Sequence, residues 1–223
     1  MTSIESLTLE VADPTSATAF YARAFDLGTT VRLRASEAPT TGFRGFMLSL
    51  VVSQPATVDG LIGAALDAGA TPLKPAEKRF WGYGGVVRAP DGTIWKVATS
   101  AKKNTGPATG RVDEIVLLLG ATDLAASKRF YVDRGLAVAR SFGRRYVEFA
   151  TASGPFKLAL YGRSAVAKDA GVSADGTGSH RILIGSDAEP FTDPDGFEWK
   201  PARELAGGHP AGRVSDPMAT SSG

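Results

Sequence analysis

Apolar positions along the chain recur first with the period of a strand and then with that of a helix. Residues 3–12 nearly alternate apolar and polar side chains after Ser6, which predicts a half-buried strand. A helix follows, capped by Asp13 or Thr15 and ended by Gly28, with apolar residues at helical spacing: Ala17, Phe20, Tyr21 and Ala24. Residues 30–35 alternate again, so the opening segment predicts strand, helix and strand.

The next two segments share one order of elements. Residues 46–100 predict a strand, a helix over 55–70 and three further strands. Residues 112–162 predict the same order, with a helix that begins at Asp123. Both segments therefore have the pattern βαβββ.

The last segment departs from that order. Strands are predicted at 179–185 and 197–200, and only residues 186–193 connect them, so the helix of the pattern is missing. Residues 165–178 are predicted to form a polar loop. The opening segment is trimmed as well, because it lacks two strands.

Two motifs occur twice and indicate an internal duplication. A Pro-Asp-Gly turn at 90–92, followed by Trp95 and Lys96, recurs at 194–196 with Trp199 and Lys200. Aspartate followed eight residues later by tyrosine also recurs, in the pairs Asp13–Tyr21 and Asp123–Tyr131. We predict two halves, 1–100 and 112–202, a linker at 101–111 and a disordered tail at 203–223.

Charge and composition exclude several functions. The 25 basic and 23 acidic side chains leave a net charge of +2, without a basic cluster of the nucleic-acid-binding kind. The absence of cysteine excludes disulfides and thiolate chemistry. No apolar run is long enough to span a membrane, and the N-terminus does not resemble a signal peptide. We expect a cytoplasmic protein, monomeric or homodimeric, without nucleic-acid or membrane partners.

The paired motifs, over roughly residues 3–201, resemble the vicinal oxygen chelate superfamily of glyoxalase I, bleomycin-resistance proteins, fosfomycin-resistance enzymes and extradiol dioxygenases. The resemblance implies an α+β fold of tandem βαβββ modules whose curved mixed sheets form cups for small ligands. Because the two complete modules, 46–100 and 112–162, are adjacent, we expect two cups, one or both incomplete or formed across the halves.

The resemblance also locates the positions at which relatives chelate a divalent cation. Seven such positions can be mapped, and they hold Ser6, Met47, Lys96, Val116, Ala159, His180 and Lys200. Only His180 is a residue type that those relatives use as a metal ligand. A thioether does not suit the cations of this superfamily, and a lysine ammonium carries no lone pair. We therefore expect no metal cofactor.

Several of these residues remain candidates for other chemistry. Lys96 and Lys200 can attract an anion or act as a base inside a cup, or they can be strand-edge residues that reach solvent. His180, Glu198 and Lys200 can form a catalytic proton-transfer cluster. The alternatives are a hydrogen-bonded histidine and an ordinary ion pair between the other two.

Aromatic residues supply a separate signal. Trp81 and Tyr83 lie in a glycine-rich stretch before a strand that lines a cup, where aromatic walls suit flat organic ligands. The alternative is a core tryptophan beside a glycine-rich bulge. Together with Ser6, Met47 and Lys96 they form the predicted ligand-binding set.

The preferred function is therefore a metal-free protein of glyoxalase and bleomycin-resistance type that binds a small organic molecule in a β-sheet cup. The alternative is an enzyme of the same superfamily, a glyoxalase-like lyase or isomerase or an extradiol-dioxygenase-like enzyme, with a non-standard metal site or none. A third possibility is an interaction module with a decayed cup.

Overall fold

The computed structural model describes residues 3–150 and 155–206, and within them the chain forms fifteen strands and five helices. In chain order these are β1 (Ile4–Val11), α1 (Pro14–Ala24), β2 (Val31–Ala35), β3 (Thr40–Gly42), β4 (Phe46–Val51), α2 (Pro55–Asp67), β5 (Thr71–Arg79), β6 (Gly82–Arg88), β7 (Ile94–Thr99), β8 (Glu114–Ala121), α3 (Leu124–Asp133), β9 (Val138–Ser141), β10 (Tyr146–Phe149), β11 (Phe156–Gly162), α4 (Arg163–Ala170), β12 (Gly176–Gly178), β13 (Ile182–Ser186), β14 (Phe191–Thr192), β15 (Glu198–Pro201) and α5 (Ala202–Ala206).

The larger sheet has eight strands, in the order β5-β6-β7-β4-β8-β11-β10-β9. Its two βαβββ modules meet where β4 pairs antiparallel with β8, with Met47 opposite Leu118 and Ser49 opposite Val116. The module before the 101–111 linker and the module after it therefore share one curved sheet. Strands of both predicted halves build this sheet.

The trimmed modules form a second sheet of five strands, in the order β14-β15-β13-β1-β2. The two halves meet again, because β1 pairs antiparallel with β13. Strand β2 lies parallel to β1, directly beside it, as expected for an opening module that lacks two strands. A small pairing of β12 with β3 also joins the halves.

Alternating side chains separate a core face from an outer face on each sheet. On β4, Leu48 and Leu50 enter the core, whereas Met47 and Ser49 point to the opposite side. The core packs both sheets against α1, α2 and α3. Burial of each large apolar side chain there contributes roughly 1.5–3 kcal/mol.

The recurrent sequence motifs connect modules within one half through buried hydrogen bonds. Tyr21 of α1 donates to Asp91 Oδ2 at 2.7 Å, and Trp95 Nε1 donates to the Tyr21 hydroxyl at 3.3 Å. In the second half Tyr131 donates to Asp193 Oδ2 at 2.6 Å and accepts from Trp199 Nε1 at 3.2 Å. The expectation that both tryptophans lie in the core is confirmed.

The aspartates that begin these motifs act as helix caps. Asp13 Oδ1 accepts from the backbone amides of Thr15 and Ser16, at 2.9 and 3.2 Å. Asp123 caps α3 in the same way. A carboxylate there satisfies amides that have no partner inside the helix.

The prediction of a loop at 165–178 is wrong, because α4 occupies Arg163–Ala170. Its apolar side chains Val166, Ala167 and Ala170 are buried against the eight-stranded sheet, and Gly171 ends the helix in the left-handed conformation at φ 80°. Tertiary packing therefore overrides the polar composition of this segment.

Smaller corrections concern the connections. Strand β5 extends beyond the predicted 71–75, and β3 and β14 lie within segments predicted as loop or connection. The predicted tail begins with part of α5, and residues 207–223 lie outside the described residues. Within the described part of the chain, every helix is too short or too polar to cross a membrane.

Candidate functional site

A cavity of about 490 Å³ lies on the face of the eight-stranded sheet opposite the core. We call this cavity the cup. Strands of both modules and helix α4 supply its wall, whose residues are mostly apolar or aromatic: Met47, Ser49, Trp81, Lys96, Ala98, Val116, Leu118, Tyr146, Tyr161, Ala165, Val166 and Asp169. This volume and this lining suit a small organic ligand.

Three of the positions that the sequence analysis mapped to metal ligands line the cup. They are occupied by Met47, Lys96 and Val116, and the fourth position, Ala159, is buried beside them. A thioether, an ammonium and two aliphatic groups do not fit a hard or borderline divalent cation. Within residues 3–150 and 155–206, no group of three or more His, Cys, Asp or Glu side chains is placed to hold a metal ion.

Trp81 reaches the cup from the turn between β5 and β6. Its side chain is 42% exposed. Gly84 allows this position, because a Cβ on Gly84 would lie 2.9 Å from the Trp81 ring and 2.8 Å from the carbonyl oxygen of Val97. The glycine therefore leaves space for the indole beside β6.

Lys96 joins the indole to α4. Its ammonium lies 4.3 Å from the Trp81 ring centroid and 2.8 Å from Asp169 Oδ2. The Lys96 side chain is only 15% exposed, whereas that of Asp169 is 43% exposed. The lysine is therefore an inward-facing cation held by one carboxylate and one aromatic face.

Helix α4 covers the cup and is held at its C-terminal end by lysines. Lys74 Nζ donates to the carbonyl oxygen of Lys168 at 2.5 Å, beside the ion pair between Lys96 and Asp169. Cations stabilise the C-terminus of a helix, where the carbonyl groups are unpaired. These contacts fix the polar side of the cup.

Two tyrosines form the opposite wall. The rings of Tyr146 and Tyr161 lie 4.7 Å apart, and the Tyr146 hydroxyl donates to Glu148 Oε2 at 2.5 Å. Burial is the main cause that raises the pKa of both phenols. The second cause is the hydrogen bond to Glu148 for Tyr146 and the negative charge of Asp169 for Tyr161. Both hydroxyl groups are therefore neutral donors at ordinary pH.

Tyr83 does not join the cup. It points to the helix side of the sheet, where its hydroxyl donates to Asp59 Oδ1 of α2 at 2.7 Å. This hydrogen bond, with burial, raises the pKa of Tyr83 to about 12. Tyr83 shares the helix side of β6 with Val87, whereas Trp81 lies in the turn before the strand begins at Gly82.

His180 lies between the halves rather than in the cup. Its Nδ1 lies 2.5 Å from the carbonyl oxygen of Arg44 and its Nε2 lies 3.0 Å from that of Asp195. The ring stacks on Phe197 at 4.0 Å. Strand β13 begins only at Ile182, after Arg181 with φ 57°, so His180 precedes the strand on which it was predicted.

The other predicted residues belong to the five-stranded sheet. Glu198 and Lys200 form an ion pair at 3.1 Å on β15, and the hydrogen-bond partners of His180 are backbone oxygens instead. Ser6 lies on β1 opposite Gly185. The structure thus brings together Met47, Trp81 and Lys96, but places the remaining predicted residues elsewhere.

Among the residues of the cup that the sequence analysis did not identify are Tyr146, Tyr161 and Asp169. Tyr161 follows Ala159 by two positions on β11, so the strand period applied to that position would have located it. Tyr146 has no comparable signal, because its place depends on the pairing of β10 with β11. Asp169 was missed because α4 was predicted as loop.

This architecture is the fold of the vicinal oxygen chelate superfamily. Among solved structures, glyoxalase I from Zea mays matches with a TM-score of 0.61 and 14% identity, over 92% of this chain and 94% of that chain. A proposed dioxygenase from Bacillus subtilis subsp. subtilis strain 168 matches with a TM-score of 0.57 and 12% identity, over 88% and 83%. No protein-family model and no curated protein matches the sequence. At these identities the likeness establishes the fold alone.

Proposed function

We propose that this protein binds a small planar organic molecule in the cup without a divalent cation. The observation that carries the proposal is the lining itself: aromatic side chains and an apolar floor surround one inward ammonium where the superfamily places metal ligands. Flat ligands gain both buried area and ring stacking from such walls.

Lys96 points its ammonium into the cup, and this charge restricts the proposed class of ligand to aromatic acids. Lys96 is mostly buried, and its only carboxylate partner within ion-pair distance in the described chain is Asp169, which is more exposed. An acidic group on a ligand can take the place of that carboxylate at Lys96 while the ring lies against Trp81. Charge-assisted hydrogen bonds are stronger than neutral ones, so an acid binds better than its neutral analogue.

Tryptophan fluorescence tests the proposal, since Trp95 and Trp199 are buried in the core and Trp81 alone among the three lines the cup. Titration with nitrobenzoate is expected to quench the emission to saturation, and nitrobenzyl alcohol is expected to bind more weakly. In Trp81→Phe, which keeps an aromatic wall, the saturable quench disappears. Equal, unsaturable quenching in both proteins would contradict the proposal.

A second candidate is a metal-independent enzyme of the same superfamily, favoured by the ion pair of Lys96 with Asp169 inside the cup. Such a pair can move a proton to or from a bound carbonyl compound. Solvent deuterium exchange into α-keto acids, followed by NMR, tests this role. Exchange that Lys96→Met abolishes while aromatic binding persists would favour the enzyme, and no exchange above the protein-free rate would eliminate it for these compounds.

A further inference from the structure

Ser49 lies in the wall of the cup, directly beside Lys96. Strands β4 and β7 are parallel neighbours, and their register pairs Ser49 with Lys96. The residues that precede them, Leu48 and Trp95, enter the core, so both side chains face the cup. A carboxylate that accepts one hydrogen bond of about 2.8 Å on each oxygen can bridge two donors separated by one strand spacing of about 4.8 Å.

The Ser49 hydroxyl group is unpaired and open to the cup. Within residues 3–150 and 155–206 it has no hydrogen-bond partner, although the residue is only 6% exposed. Its oxygen does not belong to the unpaired side-chain atoms of this part of the chain that protein covers completely. Polar groups this deep are nearly always paired, so we expect the partner to come from the cup.

Trp81 approaches Lys96 from the side opposite Ser49. The Trp81 ring lies over Gly84 of β6, and Gly84 pairs with Ala98 of β7. Because β7 separates β6 from β4, Lys96 stands between the indole and the hydroxyl group. A ring that stacks on Trp81 can therefore point an acid group across Lys96 toward Ser49.

The opposite wall of the cup disfavours an acid group. Tyr146 already donates its proton to Glu148. Burial, and then the charges of Asp169 and Glu148, raises the pKa of Tyr161, so carboxylates lie near that phenol. Arg140, opposite Glu148 on β9, is exposed and does not line the cup. An anion is therefore attracted to the lysine side of the cup and repelled from the tyrosine side, which fixes its direction.

We propose that Ser49 is a specificity-determining residue of the cup, whose hydroxyl group donates to one oxygen of the ligand's acid group while Lys96 binds the other. This inference rests on the proposed binding of an aromatic acid. A carboxylate on a flat ring fits both donors while the ring stays against Trp81. A neutral substituent of the same size gives the ammonium no charged partner, so the two donors together select aromatic carboxylates over neutral aromatic compounds.

Titration of the full chain with nitrobenzoate and with nitrobenzyl alcohol, followed by tryptophan quenching, tests this role. Ser49→Ala should weaken nitrobenzoate binding by roughly tenfold, because it removes a hydrogen bond to a charged group. Nitrobenzyl alcohol should lose no more than about threefold, since a hydrogen bond between neutral groups contributes less. Ser49→Thr, which keeps a hydroxyl group, should retain the preference for the acid. Urea unfolding of each variant checks that it is folded.

A double variant tests whether the two donors hold the same acid group. If they do, Ser49→Ala should weaken nitrobenzoate binding by less than about threefold in the Lys96→Met background. Additive losses in the double variant, equal losses of both compounds in Ser49→Ala, an unchanged nitrobenzoate affinity, or loss of the acid preference in Ser49→Thr would each overturn the role of Ser49. The wild-type quench would still support the cup in those cases. No saturable quench of the wild-type protein by either compound would instead overturn the proposed function, and this role with it.

Discussion

Replacement of Tyr131 by phenylalanine removes one hydroxyl group that two buried partners share. Tyr131 donates to Asp193 at 2.6 Å and accepts from Trp199 at 3.2 Å, and all three side chains are buried. The phenyl ring keeps the packing against Trp199 and Phe149, so the substitution isolates the hydrogen bonds.

The expected cost follows from the two lost partners. A hydrogen bond to a charged group contributes about 1.5–3 kcal/mol, and a buried N–H without an acceptor costs about 1–3 kcal/mol. Asp193 keeps the backbone amides of Asp195 and Phe197, at 2.9 and 2.8 Å, so the lower part of this range applies. We expect Tyr131→Phe to lower the free energy of unfolding by about 3 kcal/mol.

Urea unfolding followed by circular dichroism measures this loss. Tyr83→Phe is the control, because Tyr83 also donates to an aspartate, at 2.7 Å, but in a solvent-accessible position where less than about 1 kcal/mol is at stake. If Tyr131→Phe is no more destabilising than Tyr83→Phe, the motif does not join the modules energetically, and the account of the repeat is wrong.

Three further predictions concern pH, the cup and the junction between the halves. Burial, and secondly the charge of a neighbouring aspartate, raises the pKa of Tyr21 and of Tyr131. The stability that each tyrosine contributes is therefore fully present below pH about 10 and is lost as the pH rises further. The unfolding free energy should fall by about 1.4 kcal/mol per pH unit for each tyrosine, and Tyr21→Phe should remove one such contribution from the alkaline slope; an unchanged slope would contradict this. Asp169→Asn should tighten nitrobenzoate binding several-fold, measured by tryptophan quenching, because it frees Lys96; weaker binding would argue against a ligand anion at that ammonium. His180→Ala should cost about 2 kcal/mol in urea unfolding because it removes the ring that stacks on Phe197 and its hydrogen bond to a backbone oxygen across the junction; a loss below about 0.5 kcal/mol would mean that the histidine does not stabilise the junction.

Much of the fold could be predicted because its signals are local. Asp13 and Asp123 mark helix starts, and the Pro-Asp-Gly turns mark strand entries, whatever the rest of the chain does. The chemistry of Met47 and Lys96 also follows directly from the sequence, since a thioether and an ammonium do not suit a hard or borderline divalent cation. The assignment of Trp95 and Trp199 to the core followed from strand alternation.

The rest depends on contacts between distant segments. Helix α4 is polar by composition and becomes a helix against the eight-stranded sheet, so Asp169 could not be paired with Lys96 beforehand. The strand pattern assigned His180 to a strand. Arg181 has a left-handed conformation, however, and β13 begins only after it, so the histidine lies outside the strand. Tyr83 was grouped with Trp81 by proximity in sequence, although Trp81 lies in the turn before β6 and Tyr83 points to the helix side of that strand.

Elemental analysis of the purified protein, combined with a nitrobenzoate titration before and after treatment with a chelator, tests the central claim most directly. A cup that binds through Trp81 and Lys96 should contain no stoichiometric Zn, Ni, Mn or Fe and should give the same saturable quench in both states. One equivalent of any of these metals, together with loss of the quench on chelation and its return when the metal is restored, would contradict the claim.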